Sequence, residues 1–150
     1  MGGEGARAAV SPGGLCDAGL PGSLRQPRPA LPIWRTITEP LLSAGRAERR
    51  AYAEEQLARV GLDAGRLDAR PGELSGGQCQ RVAVLRALAA EPGLLVADEP
   101  ASRQDVITGA ALGELFAGAG TAVLVVSHDE AWLSRVASRV LTMTADRLQE

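Results

Sequence analysis

No lysine occurs anywhere in the 150 residues; all 16 basic side chains are arginine. Any chemistry that requires a lysine ammonium is therefore absent from this chain. An excess of either charge is lacking too. The formal net charge of -2 gives no global attraction to nucleic acid or to anionic lipid. No apolar run approaches the ~20 residues needed to span a membrane, and the N-terminus has no signal-peptide apolar stretch. Cytosolic residence, without direct membrane insertion, is the expectation. Cysteine is scarce: Cys16 and Cys79 lie far apart and belong to no metal-spaced set. A disulfide and two reduced thiols are both open, and a reduced compartment is the simpler account. A chain of this length is one domain or a piece of a larger one, and it can bury roughly two-thirds of its unfolded surface.

What is present divides into an irregular beginning and a patterned remainder. Residues 1–32 are rich in Gly, Pro, Ala and Arg without apolar periodicity, which predicts loop or disorder. From about Ile37 to Val60 charged residues interleave with Leu41, Leu42, Tyr52, Leu57 and Val60 as in a helix, with Gly61 as its stop. A short helical piece is expected around Leu67. Ser75 followed by Gln78 matches a capping box, and Val82, Leu85, Leu88 and Ala89 then fall at helical spacing, with Arg81 and Arg86 pointing elsewhere. LLVA at 94–97 and TAVLVV at 121–126 read as buried strands, and Val140–Met143 as a third, with helices at about 107–116 and 130–138 between them. This alternation predicts an α/β fold with a parallel sheet and crossover helices.

Three places carry chemistry. Asp98 and Glu99 follow the strand LLVA, at the end of a parallel strand where ligands bind. An Asp there can hold Mg²⁺ through water, and a neighbouring Glu can orient a water for attack on a phosphate. A solvated turn is the equally good bland reading. In LSGGQ, Gly76 and Gly77 leave amides unshielded at a helix N-terminus, and Ser75 adds a hydroxyl; a plain capped helix explains the same residues. His128, the sole histidine, follows TAVLVV and so shares a rim with Asp98 and Glu99, which favours a phosphate contact over a structural role.

The ordered combination is specific. LSGGQ, then QR, LLVADEP, an Asp at 105 and SHD resembles the C-terminal half of ABC-type ATPase domains over roughly residues 26–148. The resemblance implies a partial P-loop NTPase fold: a helical signature subdomain at about 33–92 and a parallel-sheet core at about 93–150 that lacks the P-loop strand. It implies ATP and Mg²⁺ as cofactors. Ser75, Gly76, Gly77 and Gln78 would form the signature that meets the γ-phosphate of an ATP held by a second ATPase subunit. Asp98 would be the Walker B aspartate that holds Mg²⁺, Glu99 the catalytic glutamate, Asp105 the D-loop residue and His128 the H-loop switch. A finer likeness is to the ATPase subunits of peptide and nickel importers: RQPRPALPIWRTITEPL resembles their Q-loop region, with Gln26 at the nucleotide- and metal-contacting glutamine, and DEPASRQDVIT their extended D-loop. Partners would then be a second ATPase subunit and transmembrane permease subunits at the cytoplasmic face of the membrane.

Departures from the family pattern qualify this. Arg103 and Gln104 replace a small and an apolar residue in the D-loop, and Cys79 takes a place often held by a polar residue. The family's P-loop, G-x-x-x-x-G-K-[ST], cannot be present without lysine. Without the P-loop strand, TAVLVV and Val140–Met143 are expected to expose apolar edges. The leading expectation is a truncated or degenerate importer ATPase subunit, inactive alone and able to complete a partner's ATP site. A non-catalytic regulatory module and a gene remnant are the alternatives. A DNA-repair or chromosome-organising ATPase is disfavoured by the absence of coiled coil, zinc ligands and a basic stripe.

Overall fold

The structure is a computed structural model and describes residues 7–10, 31–102, 106–144 and 147–149. Its first described helix, α1 (Ile33–Ile37), follows Pro32 and is tied down by amides of Ile33 and Trp34 that donate to the carbonyls of Ala69 and Leu67. The next, α2, spans Arg46–Arg59. The single helix expected over Ile37–Val60 is thus broken at residues 38–45. Thr38 Oγ1 donates to the Trp34 carbonyl at 2.7 Å, closing α1. Pro40 brings no amide proton and disfavours helical backbone at Glu39. The expected stop is real: Gly61 sits at φ +66°, a left-handed conformation that glycine adopts without steric cost. Around Leu67 there is only a 3-10 turn, Ala64–Arg66, capped by Asp63.

The third helix, α3 (Gly76–Leu88), starts with the reciprocal bonds its sequence predicts. The Gln78 amide donates to Ser75 Oγ at 3.2 Å, and the Ser75 amide donates to Gln78 Oε1 at 2.9 Å. Val82, Val84, Leu85 and Ala87 are buried. Arg81 reaches back to the Val60 carbonyl at 2.8 Å, joining α3 to the end of α2. Arg86, expected to point away from the core, is instead buried and ion-paired with Glu39 at 2.6 Å.

Three parallel strands follow the order β1-β2-β3: β1 is Arg7–Val10, β2 Leu94–Asp98 and β3 Ala122–Val126. The first corrects the reading of residues 1–32 as irregular throughout. Four residues without alternation carry little strand signal, and β1 owes its form to its neighbour β2. Helix α4 (Val106–Ala117) makes the crossover from β2 to β3, and α5 (Glu130–Val136) follows β3. Val140–Met143, expected as a further parallel strand, is not one. Strand β4 (Thr142–Thr144) pairs antiparallel with β5 (Arg147–Gln149) in a separate hairpin. Only two residues separate the paired Thr144 and Arg147, a connection that allows antiparallel but not parallel pairing.

One apolar cluster unites these elements; Ile33, Ile37, Leu57, Leu85, Leu95 and Leu112 are fully buried within it. Helices α4 and α5 approach closely because Gly109 and Gly113, one turn apart, meet Trp132 and Val136, and Trp132 Nε1 donates to the Gly109 carbonyl at 2.9 Å. The outer edge of β3 has no partner strand among the described residues, and Leu124 and Val126 are 54% and 53% exposed. This is the apolar edge the sequence predicts. No helix among the described residues is long and apolar enough to cross a membrane.

Candidate functional site

The rim at the carboxyl ends of β2 and β3 is built around a backbone kink. Asp98 ends β2 opposite Val126, and Glu99 then turns into the left-handed region at φ +47°. Pro100 follows and is buried; a proline disfavours right-handed helical backbone in the residue before it. Holding a non-glycine residue left-handed costs roughly 1–2 kcal/mol, so the surroundings must fix it. They do so through its main chain. The Glu99 amide donates to the Val126 carbonyl at 2.8 Å, and the Glu99 carbonyl accepts from Gln80 Nε2 at 2.6 Å and Ser102 Oγ at 3.0 Å.

The Glu99 side chain is directed at the residues after β3. Its Oε1 accepts from the His128 amide at 2.9 Å and lies 2.7 Å from His128 Nδ1, while Oε2 accepts from Ser127 Oγ at 3.2 Å. An ionised carboxylate only accepts, so Nδ1 carries the proton in this contact and Nε2 is left for another partner. The His128 side chain is 82% exposed. Burial pushes the Glu99 carboxyl up, but the hydrogen bonds from His128 and Ser127 outweigh it and hold the group below its ordinary value. Asp98 is exposed, and its side chain makes no hydrogen bond or ion pair among the described residues. An oxygen ligand free at a strand end suits a hydrated divalent cation such as Mg²⁺.

The second part is the N-terminus of α3. Ser75 and Gly76 are exposed and Gly77 is buried. Ser75 Oγ is occupied as an acceptor by the Gln78 amide but keeps its hydroxyl proton to donate. The Gly76 amide has no acceptor among the described residues, as expected for a first-turn amide, and it suits an anion.

Sequence reading thus located Asp98, Glu99 and His128, and the structure brings the last two into contact. It places Ser75, Gly76, Gly77 and Gln78 together at the start of α3. Gln26 and Asp105, with Arg103 and Gln104, lie outside the described residues. Gln80, Ser102 and Ser127 were missed. For Gln80 a signal existed: Gly77, Gln80, Val84 and Ala87 form one buried stripe of α3, and a glutamine on such a stripe requires a polar partner.

The family described as ABC transporter matches residues 22–102, 81 of the 150. The chain belongs to that family. A relative from Escherichia coli K12, named probable D,D-dipeptide transport ATP-binding protein DdpF, is 38% identical over 129 residues, covering 81% of this chain and 42% of its own length. The nickel import ATP-binding protein NikE of Escherichia coli O6:K15:H31 is 40% identical over 135 residues, covering 85% of this chain and 50% of its own. The chain spans about half the length of the curated relatives it matches. Among solved structures, the dimeric structure of MJ0796, a bacterial ABC transporter cassette, superposes with a TM-score of 0.61 at 34% identity, over 70% of this chain and 49% of that one. Its post-hydrolysis dimer bound to ADP and Pi matches with the same TM-score of 0.61 at 32% identity. The fold is that of an ABC ATPase cassette in part, α/β with a small parallel sheet.

Proposed function

We propose that this chain acts as part of the ATP-binding subunit of an ABC importer for peptides or nickel, with ATP and Mg²⁺ as ligands. The observation that carries the reading is the contact of Glu99 with His128 beside the exposed Asp98, on the rim where parallel sheets bind ligands. Asp98 would hold Mg²⁺ through water, and the cation would supply charge neutralisation at the phosphates. Glu99 orients the attacking water through Oε2, which has a single donor at 3.2 Å. His128 keeps Glu99 in place through Nδ1 and turns its exposed ring to the γ-phosphate. Ser75, through its hydroxyl proton, and the Gly76 amide face the γ-phosphate of a nucleotide on a second ATPase subunit, with Gly77 and Gln78 shaping the turn that presents them. Gln26 and Asp105 serve as the Q-loop and D-loop residues.

The 150 residues supply no lysine, so the phosphate-pairing lysine of the site comes from outside them. That absence also favours a second reading, in which the chain is a non-catalytic module that docks on an intact ATPase or permease. In both readings it works at the cytoplasmic face of the membrane through permease subunits, a placement that accords with relatives named for dipeptide transport and nickel import. The test is a titration with a fluorescent ATP analogue, on the chain alone and mixed with an intact importer ATPase subunit. Binding that appears in the mixture and is lost in Ser75→Arg supports the signature role. Binding of the intact subunit without any change in its nucleotide affinity supports the non-catalytic module.

A further inference from the structure

The Glu99 carbonyl oxygen is a meeting point of three donors. Gln80 Nε2 lies at 2.6 Å, Ser102 Oγ at 3.0 Å and the Ser102 amide at 3.2 Å. Ser102 is three residues along the same turn and moves with it, whereas Gln80 belongs to a different element, the second turn of α3. Gln80 is 3% exposed, so its side chain is enclosed and its donor is aimed. The peptide it holds is the one that leaves the left-handed Glu99, and its orientation is tied to the φ and ψ of that residue. Were the backbone to relax to an extended or right-handed form, the carbonyl would swing away from Gln80. The Glu99 side chain would swing with it, away from His128.

We propose that Gln80 is a positioning residue: through the Glu99 carbonyl oxygen it fixes the kink that aims the Glu99 carboxylate at Ser127 and His128. Helix α3 then does two things at opposite sides of one turn. Its N-terminus presents Ser75 and Gly76, and its buried face sets the geometry of Glu99. This deepens the reading given above and rests on it for the role of Glu99, but its geometry is independent of any nucleotide.

His128 is the only histidine of the chain, so its ring gives one unambiguous set of NMR signals. Glu99→Gln, recorded at the same pH, marks the position of those signals when the carboxylate contact is lost. In full-length Gln80→Met, which keeps the volume but cannot donate, the His128 ring signals are expected to move toward the Glu99→Gln position. A purely structural role for Gln80 would lower the melting temperature and leave the signals where they are; that result overturns the proposal. Should Gln80→Met lose its native far-UV circular dichroism, Gln80→Asn decides: it keeps a buried amide but holds the donor one methylene short of the Glu99 carbonyl oxygen. A smaller displacement in the same direction supports the proposal, and none overturns it. No nucleotide is needed, so failure of ATP binding and failure of this coupling are read separately.

Discussion

Arg86 and Glu39 join the last turn of α3 to the segment that follows α1, with Arg86 Nη2 2.6 Å from Glu39 Oε2. The arginine side chain is 9% exposed and the glutamate 36%. The pair therefore lies at the edge of the core, where removing one partner is felt. Glu39→Gln is expected to lower stability by about 1–3 kcal/mol, between the values for exposed and buried pairs. Urea unfolding followed by circular dichroism measures it, with the mutant midpoint below that of the parent chain.

The capping box of α3 is both an anion-facing feature and a stability element. Ser75→Ala removes the acceptor for the Gln78 amide and should cost roughly 1 kcal/mol. Thermal unfolding reads that loss, and the nucleotide titration in the presence of an intact ATPase subunit reads the functional one. Ser75→Asp keeps the cap and restores stability, but places a negative charge where the phosphate is expected. Recovery of the melting temperature without recovery of binding separates the two roles.

The Glu99 carboxyl is held below its ordinary value of 4.5, so the folded state binds its proton less readily than the unfolded chain. The stabilisation this confers is complete above the unfolded value and is lost as pH falls through the lower, folded one. Glu99→Gln cannot titrate. The difference in unfolding free energy between parent and mutant is expected to be constant near neutrality and to shift against the parent in acid. A difference that stays flat below pH 4.5 would show that His128 and Ser127 do not perturb the group.

Glu91 shares with Glu99 a left-handed φ of +47° but stands at the other end of β2, after α3. Nothing about the candidate site requires a side chain there. Glu91→Gly is expected to stabilise the chain by up to about 1 kcal/mol, the relief of left-handed strain less the added flexibility of glycine. The same change at Glu99 would remove the carboxylate. Equal stabilities of parent and Glu91→Gly would show that the strain relieved does not exceed the flexibility that glycine adds.

Among the described residues the outer edge of β3 has no partner strand, and such an edge invites association. Leu124→Lys puts a charge on an exposed position of that strand and should reduce self-association without loss of fold. Light scattering across a concentration series compares the two chains. Scattering that does not change would place the association elsewhere.

Legibility in the sequence followed the range of the forces involved. The Ser75–Gln78 cap depends on residues three apart and was readable; so were β2 and β3, whose apolar runs are continuous. Asp98, Glu99 and His128 were readable because each directly follows such a run, although only the fold brings Glu99 and His128 together across 29 positions. Strand β1 was not readable, since Arg7–Val10 is extended by virtue of a neighbour far along the chain. Arg86 was misread because helical spacing alone does not reveal that Glu39 waits for it inside the core boundary. Val140–Met143 was assigned to the wrong sheet, because a short strand with a local partner looks the same as one with a distant partner.

The sheet order has a consequence for how the chain reaches this state. β2 is the central strand, yet its two neighbours are recruited over very different spans: Leu94 pairs with Ala122, 28 positions on, and with Arg7, 87 positions back. Closing the longer span costs about 1 kcal/mol more in chain entropy. The β2–α4–β3 unit is therefore the less costly one to close, and β1, which precedes β2 in the chain, waits for a strand made much later. During that interval β2 offers one bare edge and β3 another, and whichever segment arrives first at the former decides whether β1 is the strand that stays.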